Sequence, residues 1–184
     1  YSGMTGYVLG DGSTTLVLET ESSAKERNVK VYAEVAGYGM AHKAVAFGRL
    51  DGSEEALVDA VRLAAEDAGM KLDEIDAIVG FGNGDADTDS LELDAYRKLF
   101  GEKLASLPVF TVKDTTGEGR AASASLSAAH AALMLSDKYE VAGRAYKLQA
   151  DKMVQTTVDT KALKNVLVTS YGVGGSYCAV IIKR

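Results

Sequence analysis

Between residues 53 and 80 the chain spells out a helix and then a strand, and that succession limits the possible folds more than any other feature. Leu57, Ala60, Val61, Ala64 and Ala68 fall at i, i+3, i+4, i+7 and i+11, which is one face of a helix. Ser53 is placed to cap it, and Glu54 and Glu55 suit the positive end of its dipole. Gly69 sits where a left-handed C-terminal residue belongs. Residues 75–80 then make a short apolar strand. The same mixture continues along the chain, so the class is α/β.

Further strands are expected at 16–18, as a buried strand after a glycine-rich stretch, at 108–112, and at 29–36, where Val29, Val31, Ala33 and Val35 alternate with polar residues. Residues 165–169 and 177–182 read as an antiparallel pair joined by a glycine-rich turn. A polar helix is expected at 22–27. A second long one spans 89–100, with Leu91, Ala95 and Leu99 on one face and Gly101 ending it. A third, at 120–135, is rich in Ala and Ser. Its small side chains allow close approach and suggest a central position, with Leu126, Ala129, His130, Leu133 and Met134 as its larger face. Residues 38–52 and 81–88 read as loops, and 136–163 are weakly patterned.

The chain has 184 residues, enough for one domain with a sizeable core. Twenty basic against 26 acidic residues leave a net charge of −6, which argues against a nucleic-acid binder relying on diffuse positive charge. One cysteine, Cys178, cannot form an internal disulfide, so a reducing, cytoplasmic setting fits best. No apolar run approaches the roughly 20 residues that span a bilayer. The chain opens at Tyr1 without an initiator Met or a signal-peptide pattern, so the expectation is a piece cut from, or recorded within, a longer protein.

Residue chemistry alone shows no active site. Asp85, Asp87 and Asp89 alternate like the start of a calcium loop, but counting from Asp85 or Asn83 finds neither the required Gly at the sixth place nor Glu at the twelfth. The better reading is a strand-to-helix turn, with Asp89 capping the helix and Glu92 completing a capping box. Gly6, Gly10 and Gly12 precede a strand, the reverse of a dinucleotide fingerprint. His42 lies in an expected loop. His130 reads as a satisfied core or interface histidine, and Cys178, within a strand, as a buried structural thiol.

Five segments, in order, resemble the C-terminal half of the β-ketoacyl synthases. They are Gly6-Tyr7-Val8-Leu9-Gly10-Asp11-Gly12 with Leu16-Val17-Leu18-Glu19; Val31-Tyr32-Ala33-Glu34-Val35-Ala36-Gly37-Tyr38-Gly39; Gly80-Phe81-Gly82 with the acidic pair Asp89 and Glu92; Lys113-Asp114-Thr115-Thr116-Gly117-Glu118; and Ser170-Tyr171-Gly172-Val173-Gly174-Gly175-Ser176. The resemblance implies a thiolase-like fold, with residues 1–184 as a C-terminal domain whose mixed sheet is covered by helices. The N-terminal half would lie outside this chain.

The departures from the family pattern matter most. Phe81 and Glu118 stand where an active synthase of this family carries two histidines. Neither can act as a neutral imidazole donating to a thioester carbonyl. Lys113, Asp89, Glu92, Tyr171 and Gly174 remain, and Val173 replaces a phenylalanine. No catalytic residue, metal or cofactor is expected.

The resemblance therefore implies a chain-length factor, the non-condensing partner of an active ketosynthase in bacterial type II polyketide synthases. It would work with a ketosynthase subunit and an acyl carrier protein, away from membranes and nucleic acid. In that site Phe81 would exclude a thioester by volume and Glu118 would repel malonate by charge. Lys113 is expected half-buried beside Asp89 or Glu92, and a nearby Arg120 or Lys113 is also placed to pair with Glu118. Two rivals are a divergent condensing enzyme using Glu118 with Lys113, and a ligand- or metal-binding module built on the 81–89 loop.

Overall fold

The computed structural model describes residues 6–46, 53–136, 144–150 and 152–184. A short helix α1 (Glu21–Glu26), capped by the Thr20 side chain, precedes β1 (Glu34–His42). Then come α2 (Glu54–Asp67), β2 (Ala77–Val79), α3 (Ala86–Phe100), β3 (Val109–Phe110) and the single turn α4 (Lys113–Thr116). Helix α5 (Ser123–Leu135) is followed by the strands β4 (Ala145–Gln149), β5 (Lys152–Thr156), β6 (Asn165–Gly172) and β7 (Ser176–Lys183).

All seven strands join one mixed sheet in the order β1-β7-β6-β2-β3-β4-β5. Its middle is parallel: β2 pairs with both β6 and β3. Antiparallel pairs flank this middle, β6 with β7 and β7 with β1 on one side, and β3 with β4 and β4 with β5 on the other. Strand alternation then sorts the core into two layers. Leu167, Tyr171, Tyr177, Ala179 and Ile181 join Leu57, Val61, Ala64 and Tyr96 from α2 and α3. Val166, Val168 and Ile182 join Ala131, Met134 and Leu135 from α5.

Helix α2 forms where its periodicity places it. Ser53 caps it through Glu55 N–H, and Gly69 adopts φ +61°. Its alanine stripe has a specific use. A Cβ on Gly39 would fall 2.1 Å from Ala60 O, and one on Gly37 would fall 2.5 Å from Ala64 O. Small residues on both sides thus let α2 lie directly on β1.

Several expectations change. The chain at 16–18 is no strand: among the described residues it has no ladder partner, and Val17 is 85% exposed. Strand β1 starts at Glu34, not at 29, and runs through His42, so His42 ends a strand and 38–42 are not loop. Its pairing with β7 begins at Glu34, opposite Lys183, and among the described residues 29–33 have no ladder partner. The rest of the expected loop, 47–52, lies outside the described residues, as do 137–143 of the weakly patterned stretch. That stretch nevertheless contains the β4–β5 hairpin.

Residues 120–122 form a 3-10 turn before α5 begins. The buried face of α5 is Ser123, Ser127, Ala131, Met134 and Leu135. Of the expected larger face only Met134 is buried; with Leu135 it packs against the sheet, while Leu126, Ala129, His130 and Leu133 are only partly covered. Among the described residues, no helix is long and apolar enough to cross a membrane.

Candidate functional site

The parallel strands β6, β2 and β3 end on one edge of the sheet, the usual location for a site in a sheet of this kind. The segments leaving them converge around a cleft of about 740 Å³. Phe81 and Asn83 reach it from the loop after β2, Glu118 and Arg120 from the turn before α5, and Tyr171 and Val173 from the end of β6.

The loop after β2 is held from behind by two acids of α3. Glu92 is fully buried; its Oε1 accepts from Phe81 N at 2.7 Å and its Oε2 from Gly82 N at 3.0 Å. Tyr96 Oη and Thr169 Oγ1 donate to the same Oε1 at 2.7 and 2.9 Å. Asp89 Oδ1 accepts from Asn83 N at 3.1 Å and Gly84 N at 3.4 Å. Burial, and then the charge of Glu92, push the Asp89 carboxyl above its ordinary value. Thr111 Oγ1 donates to Gly82 O at 2.8 Å.

Asp89 and Glu92 therefore do not form a capping box. The helix begins three residues earlier, and Asp85 caps it by accepting from Thr88 N at 3.1 Å and Thr88 Oγ1 at 2.7 Å. The signal was present in the sequence: Asp85 stands just ahead of a helix-compatible run. This also disposes of the calcium-loop spacing, because Asp85 and Asp89 are engaged with backbone amides. Among the described residues, no group of three His, Cys, Asp or Glu is placed to hold a metal.

The centre of the site is a column of three side chains. Lys113 Nζ lies 2.9 Å from the Phe81 ring centroid and 2.9 Å from Glu118 Oε2, with both charged side chains buried. Tyr171 stacks on Phe81, with centroids 4.1 Å apart, and donates its Oη to Thr88 O at 3.0 Å. Glu118 Oε1 accepts from Arg120 N at 2.6 Å and Ser123 Oγ at 2.7 Å, tying the column to the start of α5. Burial lowers the Lys113 ammonium, although Glu118 works against that. Burial alone would raise the Glu118 carboxyl, but Lys113 and Ser123 outweigh it and hold it below its ordinary value.

Of the partners expected for Lys113 the structure supplies Glu118, and the expected repulsion of malonate is corrected. The direct ion pair of Lys113 is with Glu118, while Asp89 and Glu92 act on it only at longer range. The Glu118 charge is consequently matched by Lys113, so repulsion of malonate by an unpaired carboxylate no longer follows. Gly174, with φ +97°, turns β6 into β7, and Val173 beside it is 56% exposed at the cleft. Cys178 is half-buried on β7 and lines the cleft; burial pushes its thiol up, away from the nucleophilic thiolate. His130 lies apart, 6.0 Å from the Phe110 ring. Its Nε2 is buried and, among the described residues, has no hydrogen-bond partner. Asn83, Thr111, Tyr96 and Thr169 were not foreseen as site residues.

Comparison with known proteins places this geometry. Residues 32–146 match the family described as β-ketoacyl synthase, C-terminal domain. The polyketide β-ketoacyl synthase 1 of Streptomyces virginiae is 31% identical over 96% of this chain and 43% of its own length. The 3-oxoacyl-acyl-carrier-protein synthase 2 of Coxiella burnetii is 28% identical over 99% of this chain and 45% of its own. The chain thus spans less than half the length of these relatives. Among solved structures, the ishigamide ketosynthase/chain length factor superposes with a TM-score of 0.78 at 24% identity, over 98% of this chain and 45% of that one. A type II polyketide synthase ketosynthase, solved with its acyl carrier protein, gives 0.76 at 22% identity, over 90% and 41%. The sheet and its helices are the C-terminal half of a thiolase-like fold.

Proposed function

Because the chain belongs to the β-ketoacyl synthase family as its C-terminal domain, we propose that it serves in a non-condensing chain-length factor of a bacterial type II polyketide synthase. In this reading residues 1–184 are one domain, and an N-terminal domain completes the subunit. An active ketosynthase is its partner, and an acyl carrier protein brings malonyl-derived chains to the cytoplasmic assembly. The polyketide name of the Streptomyces relative supports this choice of pathway.

The observation that carries the reading is the Phe81–Lys113–Glu118 column. Decarboxylative condensation needs donors aimed at a thioester carbonyl and at the departing carboxylate. Phe81 offers none. The Lys113 ammonium and the Glu118 carboxylate are buried against each other, so neither is available to move a proton at a bound thioester. The same pairing disfavours a condensing mechanism that uses these two residues as acid and base.

The test is the complete assembly with the partner ketosynthase's own nucleophile disabled. Carbon dioxide release from malonyl carrier protein should stay at background, both for the native subunit and for the Phe81→His/Glu118→His double variant. Release by the native subunit would make it a condensing enzyme. Release only from the double variant would show that a nucleophile survives elsewhere in the subunit, and would mark a lapsed enzyme in place of a dedicated partner.

A further inference from the structure

Strand β1 lies at the edge of the sheet and pairs only with β7. Lys43 N donates to Gly175 O at 2.8 Å and Val45 N to Gly174 O at 3.5 Å, so the ladder continues past His42. Backbone groups alternate sides along an antiparallel strand. Gly37, Gly39 and Ala41 therefore turn theirs toward β7, and Tyr38, Met40 and His42 direct N–H and C=O away from the sheet. The last residue of α2 takes one of these groups: Asp67 Oδ2 accepts from Tyr38 N at 3.0 Å. Among the described residues, the Tyr38 carbonyl and both groups of Met40 and His42 have no partner. Natural edge strands are often kept short or given lysine or proline, which discourages further pairing. The opposite edge follows that rule, since β5 has five residues and begins at Lys152. β1 has nine residues and neither lysine nor proline.

A groove of about 540 Å³ runs along this edge, lined by Tyr38, Gly39, Met40, Leu63, Glu66 and Asp67. Its two sides differ in chemistry. On the α2 side Glu66 and Asp67 are exposed. Lys98 matches the acids Glu54 and Glu55 at the start of α2, but among the described residues Glu66 and Asp67 have no ion pair. On the other face of β1, Tyr38 and Met40 are 63% and 64% exposed. We propose that the β1 edge accepts an extended segment of a partner protein as an eighth strand, with basic side chains toward Glu66 and Asp67 alternating with apolar side chains toward Tyr38 and Met40. The period of two along a strand delivers both sets at once. Backbone bonds to Met40 and His42 supply the attachment, and the alternating side chains select the segment. An acidic segment would meet like charge at Glu66 and Asp67.

The inference concerns the sheet edge alone, so it stands with or without the non-condensing reading, and its readout is not carbon dioxide release. The probe is acetyl-Val-Lys-Val-Lys-Val-amide, added to the complete assembly. Hydrogen exchange over residues 38–42, read by mass spectrometry, reports pairing at the edge. The peptide should slow that exchange saturably, by about tenfold when nine sites in ten are filled. The peptide with Glu in place of Lys should bind about tenfold more weakly or worse, because like charges then face each other. The Lys peptide with methylated backbone amides keeps its charge and should give no slowing. Glu66→Lys lies on the exposed side of α2, so it should fold and reverse the preference between the two charged peptides. No slowing by the Lys peptide, equal slowing by the Glu or methylated peptide, or an unchanged preference in Glu66→Lys would each overturn the proposal. So would amides already protected in the assembly before peptide is added, since another domain or a second copy would then hold the edge.

Discussion

Lys113 shows how a buried cation is tolerated at the residue scale: Glu118 supplies the opposite charge and the Phe81 face supplies its quadrupole. Removing one partner leaves the other charged in a dry place. Lys113→Met, which keeps most of the stem, should therefore destabilise by about 3–5 kcal/mol in denaturant unfolding. A change below about 0.5 kcal/mol would mean that the pair is open to water. The pair also predicts a pH dependence. Glu118 has a lowered pKa in the folded protein, so its contribution is complete above the ordinary carboxylate range and is lost as pH falls through the folded value. Stability measured from pH 7 down to pH 3 should decline less steeply in Glu118→Gln than in the native protein. Parallel curves would refute the assignment.

At the scale of elements, α2 lies close on β1, where the helix backbone meets Gly37 and Gly39. Gly39→Ala would drive a methyl into Ala60 O, a rigid atom of a helix interior, so the two elements must separate. A loss of about 1–3 kcal/mol is expected, with a lower melting temperature. Gly172→Ala is the matched control, because nothing lies within 4 Å of the added methyl, and it should be close to neutral. If both variants melt together, the packing of α2 on β1 is looser than described. Helix α5 meets the sheet with small residues, Ser127 and Ala131, together with Met134 and Leu135, while Leu126 and Leu133 stay only partly covered.

Across the whole molecule, apolar exposure is concentrated instead of scattered. Tyr7, Val8, Leu9, Leu16, Val17 and Leu18 line the arm before α1, and Tyr38 and Met40 lie on the outer face of β1. The arm touches the site through a bridge at Leu9 and Glu118, with Glu118 N donating to Val8 O at 2.8 Å. A soluble monomer rarely exposes a contiguous patch larger than a few hundred Å². Under the proposed reading an N-terminal domain covers this surface. The isolated 184-residue chain should then self-associate and bind a hydrophobic dye, and co-expression with that domain should abolish both. Sedimentation as a monomer with two-state unfolding would count against the proposal.

Local signals were enough for the elements whose causes are local. Ser53 and Gly69 bound α2, and apolar runs mark β2, β6 and β7. The ordered segments around Phe81, Lys113 and Tyr171 pointed to the right fold. What the sequence could not show depends on partners distant along the chain. β1 starts where its pairing with β7 starts, at Glu34 opposite Lys183, and among the described residues Val17 lacks a ladder although its neighbours are apolar. Asp89 and Glu92 look like helix caps in one dimension, yet they point back to amides of the preceding loop once α3 packs against β6. The sequence leaves Lys113 with three possible acidic partners, Asp89, Glu92 and Glu118. Tertiary folding alone placed it between Phe81 and Glu118, because only a dry, closed site makes the choice of counter-charge decisive.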